Sequence, residues 1–116
     1  MKAKILLTAL VLILMLVPLL GVNAQKAKPT GEPVKIGILL PYTGPLAWVV
    51  GCVTAVDLAI KEINEAGGVH GRPVVKVEAD DEGKADAAVA GARKLLDVDK
   101  VLAIIGPTSV TIRSVI

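Results

Sequence analysis

Apolar and polar positions change period several times along this chain, and each change marks an element. Ile5 to Leu20 is almost unbroken apolar sequence, interrupted only by Thr8 and Pro18. Gln25 to Pro33, "QKAKPTGEP", is polar, with two prolines and a glycine, and reads as a flexible leader. Val34 to Leu40, "VKIGILL", is a short apolar run closed by Pro41, which suits a strand buried on both faces. From Leu46 to Ala66 the period lengthens. Val49, Val53, Val56, Ile60 and Ile63 recur three or four apart, with Asp57, Lys61, Glu62 and Glu65 between them. That pattern predicts one amphipathic helix, with Asp57 and Lys61 as an i,i+4 pair and Gly67-Gly68 as the stop.

Beyond the turn "VHGRP", Val74 to Ala79 alternates as a strand does. Lys84 to Asp97 is helical again, with Ala85, Ala88, Val89, Ala92, Leu95 and Leu96 on one face. Val101 to Ile105, "VLAII", predicts a third strand, and Ser109 to Ile116 the start of a third helix. The order strand, helix, strand, helix, strand, helix predicts an α/β fold: a doubly wound parallel sheet with helices on its faces. Right-handed crossovers put the first strand between the second and third.

The opening segment has the three parts of a secretory signal: Lys2 and Lys4, the apolar run, and small residues at Val22-Asn23-Ala24. The expected division is a signal peptide at 1–24, a leader at 25–33 and the folded part at 34–116. An uncleaved membrane anchor is the alternative. Ile5 to Val22 would make about 27 Å of helix, short against a hydrocarbon core of about 30 Å. Pro18 and the Ala24 site favour cleavage and an exported, periplasmic or extracellular protein. Without residues 1–24 the chain has 11 basic and 11 acidic residues, a zero balance that argues against a nucleic-acid face. Cys52 is the single cysteine, so no intrachain disulfide can form.

In such a sheet, ligands bind beyond the carboxyl ends of the strands, where the winding switches direction. The loops flanking that point are "PYTGP" with Leu46 to Trp48, and "GPTSVT" from Gly106 to Thr111. Thr43, Thr108, Ser109 and Thr111 can line the crevice there, and hydroxyls beside helix starts suit a carboxylate or phosphate. Capping of the following helices is the competing use of the same hydroxyls. Trp48 can pack on the core or cover an apolar ligand. Asp80, Asp81 and Glu82 read as the introduction to the second helix rather than as a metal site, since no further oxygen ligands recur at regular spacing. His70 reads as a surface turn residue and Cys52 as a packed thiol. Nucleotide loops of the types G-x-G-x-x-G and G-x-x-x-x-G-K-[ST] are absent, as is a nucleophile–base set, so no enzyme activity and no cofactor are expected.

"VKIGILLPYTGPLA", "LAIKEINEAGGVHGRP", "VEADDEGKADAAVAGARKLL" and "VLAIIGPTS" together resemble the N-terminal lobe of periplasmic solute-binding proteins of ABC importers, the leucine/isoleucine/valine-binding group above all. The resemblance covers nearly everything from Val34 onward. It implies a type I periplasmic binding protein lobe, cut after its third strand. It also implies capture of an amino acid, branched-chain by preference, between two lobes, followed by docking on a membrane permease. In that family hydroxyls and main-chain groups after the third strand hold the ligand's charged groups, and an aromatic after the first strand covers its side chain. Thr108, Ser109 and Thr111 fall in the first region and Trp48 in the second. Counted from Gly44, Trp48 sits one position before the family's aromatic, where this chain has Val49. Counted from Gly106, the family's principal ligand serine falls on Val110. The family's length implies that this chain is a fragment. The alternative reading is a ligand-sensing ectodomain of the same fold.

Overall fold

The computed structural model describes residues 27–116 of the 116-residue chain. The expected signal peptide at 1–24 and the first two residues of the expected leader lie outside them. Strand β1 (Val34–Leu40) is central, flanked by β2 (Val74–Asp80) and β3 (Ala103–Ile105), and both pairings are parallel. The order β2-β1-β3 is the one expected of a doubly wound sheet.

The pleat sorts the side chains. Gly37, Leu39, Val77, Ala79 and Ile104 share one face by register, and that face holds the larger buried cluster, while Val34, Ile38 and Val74 point to the other side and are buried there with Val53. Helix α2 (Ala85–Arg93) covers it and runs on without a break into a π-helical turn, Lys94–Val98. Leu39 and Leu95 are fully buried, with Ala92 and Val101 closing the cluster and Val115 of the short helix α3 (Ile112–Val115) packed on it. Each fully buried leucine contributes about 1.5–3 kcal/mol. Gly37 leaves the space for this packing: a Cβ there would come within 3.1 Å of Leu95 Cδ1 and 3.2 Å of Ile104 and Val101 atoms.

The opposite face carries helix α1 (Val53–Glu65). Here the single long helix expected over Leu46–Ala66 resolves into two parts: Ala47–Cys52 is a 3₁₀ turn, and only then does the α-helix begin. Winding of about three residues per turn breaks the α-helical period that put Cys52 beside the apolar stripe, and Cys52 is exposed rather than packed. The helix ends as expected. Gly67 and Gly68 have φ of 101° and 71°, Gly68 N–H donates to the Ile63 carbonyl at 2.9 Å, and Gly67 N–H to that of Asn64 at 3.1 Å, a Schellman motif.

Charge pairing on this face differs from the expected Asp57–Lys61 pair. Asp57 instead meets Lys76 of β2 at 2.8 Å, and Lys61 meets Glu65 at 3.4 Å. Lys76 stands on the sheet surface within reach of Asp57, while Lys61 turns along the helix to Glu65. Lys76 also reaches Glu78, whose carboxylate accepts the Tyr42 hydroxyl at 2.9 Å. Asn64 ties the helix to the outer edge of β2: its amide donates to the Val74 carbonyl at 2.8 Å and accepts from the Val74 N–H at 2.7 Å.

At the amino ends of the strands, His70 is exposed in a turn closed by reciprocal Val69–Arg72 backbone bonds, as the sequence suggested. The described end of the leader is held there. Thr30 and Gly31 N–H donate to the Gly71 carbonyl at 3.1 Å, and Arg72 Nε donates to the Glu32 carbonyl at 2.7 Å.

Candidate functional site

The carboxyl ends of β1 and β3 release two loops side by side, residues 41–46 and 106–111. The acids ending β2 organise both. Asp80 Oδ1 accepts the N–H groups of Tyr42 (2.8 Å), Thr43 (3.3 Å) and Glu82 (2.8 Å), while its Oδ2 accepts the Thr43 hydroxyl at 2.6 Å. Burial works to raise the Asp80 carboxyl, but the bonds from the Thr43 hydroxyl and the three amides outweigh it and hold the group below the usual carboxylate range. Gly44 lets the loop pass close over the β2 turn: its φ is 84°, and a Cβ would lie 2.9 Å from the Glu82 carbonyl oxygen.

Asp81 faces the other way and is fully buried. It accepts the Gly83 N–H at 2.9 Å through one oxygen and the Thr111 hydroxyl at 2.9 Å through the other. Thus Asp80 and Asp81 hold loops rather than the first turn of α2. The one acid in that turn is Asp86, and Lys84 precedes it without a side-chain cap. Among the described residues, no group of three His, Cys, Asp or Glu side chains has the arrangement of a metal site.

The sequence-chosen residues occupy different depths. Trp48 is 77% exposed on the 3₁₀ turn. Thr43 is exposed, with its hydroxyl turned to Asp80. Ser109 is exposed, and Val110 beside it is 65% exposed. Thr108 is half-buried, its carbonyl accepting the Thr111 and Ile112 N–H groups. Thr111 is 1% exposed and turned inward to Asp81, away from the surface its neighbours form. None of the described helices has a side-chain cap bond at its N-cap, so capping does not occupy these hydroxyls. Sequence reasoning missed Asp80 and Asp81 as loop holders. The available signal was a pair of short acids at a strand end, opposite hydroxyl-bearing loops.

Residues 33–116 match the family model described as periplasmic binding protein. The chain belongs to that family. Leu/Ile/Val-binding protein homolog 7 of Brucella abortus is 38% identical over 85 residues, 72% of this chain and 21% of that protein. BasB of Halobacterium salinarum, a chemotactic signal transduction system substrate-binding protein, is 42% identical over 82 residues, covering 66% and 19% respectively. Among solved structures, the branched-chain amino acid transporter substrate-binding protein LivJ of Streptococcus pneumoniae, in complex with isoleucine, superposes with a TM-score of 0.68 at 30% identity. That match takes in 72% of this chain and 25% of the other. The chain thus spans about a fifth of the length of the curated relatives it matches. Such relatives are binding proteins of extracytoplasmic systems. Among the described residues no helix is long and apolar enough to cross a membrane.

Proposed function

We propose that this chain supplies one wall of an amino-acid-binding crevice in a substrate-binding component of an ABC importer, with branched-chain amino acids as ligands and a membrane permease as partner. The observation that carries this reading is the pair of loops at the carboxyl edge of the sheet, one presenting Trp48 and the other Thr108 and Ser109, in a chain similar to leucine/isoleucine/valine-binding proteins. Trp48 covers the aliphatic side chain. Ser109 and Thr108 offer hydroxyl and main-chain groups to the ligand's charged end, with Thr43 at the margin and Thr111 acting through the backbone it holds. Residues 1–24 are the export signal and residues 25–33 the leader to the lobe that begins at Val34.

One relative favours a second reading, ligand sensing rather than import. BasB works in chemotactic signalling, and the same crevice serves either output. The two differ in what the closed form docks on, not in how the ligand is held.

A chimera tests the crevice. Residues 33–116 replace the matching segment of the isoleucine-bound pneumococcal relative, and isoleucine binding is measured by calorimetry. Ser109→Ala, which removes a hydrogen bond to a charged group worth about 1.5–3 kcal/mol, is expected to weaken binding by at least about tenfold. Trp48→Ala is expected to weaken isoleucine more than alanine. Unchanged affinity after both substitutions overturns the assignment.

A further inference from the structure

Asp80 and Asp81 are adjacent in sequence, yet they serve opposite faces of the sheet. Successive residues of a strand point to opposite sides. The register pairs Asp80 with Leu40, on the side of α1, while Asp81, one residue past the strand, reaches Thr111 at the start of α3. Each carboxylate reaches one crevice loop. Asp80 takes three bonds from Tyr42 and Thr43, and Asp81 takes the buried Thr111 hydroxyl that stands two residues after Ser109. Among the described hydrogen bonds, no side chain bonds both loops. Both partners of the Asp81 bond are buried, at 0% and 1% exposure, so water does not compete for it.

We infer that Asp80 and Asp81 are positioning residues that set the two ligand-facing loops independently, Asp80 fixing the Trp48 loop and Asp81, through Thr111, fixing the Ser109 loop. This rests on the crevice reading for its functional meaning, but the positioning itself can be read without ligand. A purely structural role makes a different forecast: loss of either acid would loosen the whole domain, both loops and β1 together.

The test is residue-resolved amide hydrogen exchange on the full chain, followed by isoleucine titration of the same samples. Asp80→Ala is expected to speed exchange at Tyr42 and Thr43 by about tenfold or more while leaving Thr111 and Ile112 unchanged, the tenfold corresponding to about 1.4 kcal/mol. Asp80→Asn, which keeps an acceptor for the amides, restores part of the protection. Thr111→Val does the reverse: Thr111 and Ile112 exchange faster, and Tyr42, Thr43 and Gly83 do not. It also stands in for Asp81→Ala, should removal of that buried acid prevent folding. Exchange that rises equally in both loops and in β1, or in neither loop, overturns the inference. If isoleucine perturbs no crevice amide of the unsubstituted chain, the crevice reading fails while the exchange pattern still decides the positioning roles.

Discussion

Gly106 ends β3 with φ of 104°, and a Cβ there would press on the Leu39 carbonyl. Both objections are to backbone, which cannot step aside as a side chain tip can. Gly106→Ala is therefore expected to destabilise the fold by about 2 kcal/mol or more, the strain of a left-handed non-glycine residue plus the displaced carbonyl. Denaturant unfolding followed by circular dichroism checks this; a loss below about 0.5 kcal/mol would show that the turn relaxes freely. At this scale the sequence was informative about residue type and less so about direction. Ser109 stands exposed in the loop after β3 and Trp48 on the 3₁₀ turn beyond the loop after β1, at the sheet edge to which the strand order assigned both loops, and the exposure of Trp48 decides against packing on the core. Thr111 is one of four hydroxyls in the two loops that looked alike, and only the buried Asp81 thirty residues earlier decides that it turns inward. Local sequence carries no signal for a partner at that distance.

Among the elements, the first two strands and the span of the second helix were legible from their apolar positions, whereas the third strand expected over Val101–Ile105 narrows to Ala103–Ile105 and the last helix expected from Ser109 occupies only Ile112–Val115. The first helix was not legible at its start. Its apolar spacing continues through Ala47–Cys52, but "GPLAW" carries the crossing at Gly44, and the chain passes through a 3₁₀ turn before the α-helix settles. Once settled, the helix buries Val53 alone, so polar ties matter more for it than for α2. Asn64→Ala removes two bonds to Val74 and is expected to cost about 1–3 kcal/mol in denaturant unfolding, whereas an exposed change such as Glu62→Ala stays within about 0.5 kcal/mol.

The Asp57–Lys76–Glu78–Tyr42 chain gives this face a pH signature. Hydrogen bonds to Asp57 and then Glu78 push the Lys76 ammonium upward, and burial followed by the bond to Glu78 pushes up the Tyr42 phenol. Both folded-state values lie above the unfolded ones, so their contribution is full below about pH 10 and is lost as pH rises beyond it. Glu78, lowered by its bonds from Lys76 and then Tyr42, and Asp80 act with the opposite sign. Their contribution is full above about pH 4 and is lost as pH falls. Side-chain exposures of 27% for Lys76 and 41% for Glu78 keep the pairs' effect small, under about 1 kcal/mol each, and sensitive to salt. Melting temperatures measured from pH 8 to 11 are expected to fall less steeply for Tyr42→Phe than for the unsubstituted chain. Parallel curves would remove Tyr42 from the network.

Across the whole described domain, a three-stranded parallel sheet buries apolar side chains on both faces, Leu39 with Leu95 on one and Ile38 with Val53 on the other, and it presents two loops at its carboxyl edge. The sheet order and the location of the loops followed from alternation of strand and helix, since few topologies satisfy a right-handed crossover rule. The resemblance to leucine/isoleucine/valine-binding proteins rested on motifs spread along the same residues that the family model matches. A single wall leaves much of a small ligand in water, whereas tight sites bury about 70–90% of ligand surface, so affinity at this wall alone is expected in the millimolar range. The most direct measurement is an amide chemical-shift titration of the chain with isoleucine. Weak, saturable shifts confined to residues 43–49 and 107–111 are the expected result. Shifts clustered instead around the groove of Lys28, Asn64 and Pro73 at the opposite end of the sheet, or no shifts at all, would contradict the placement of the ligand at the carboxyl edge.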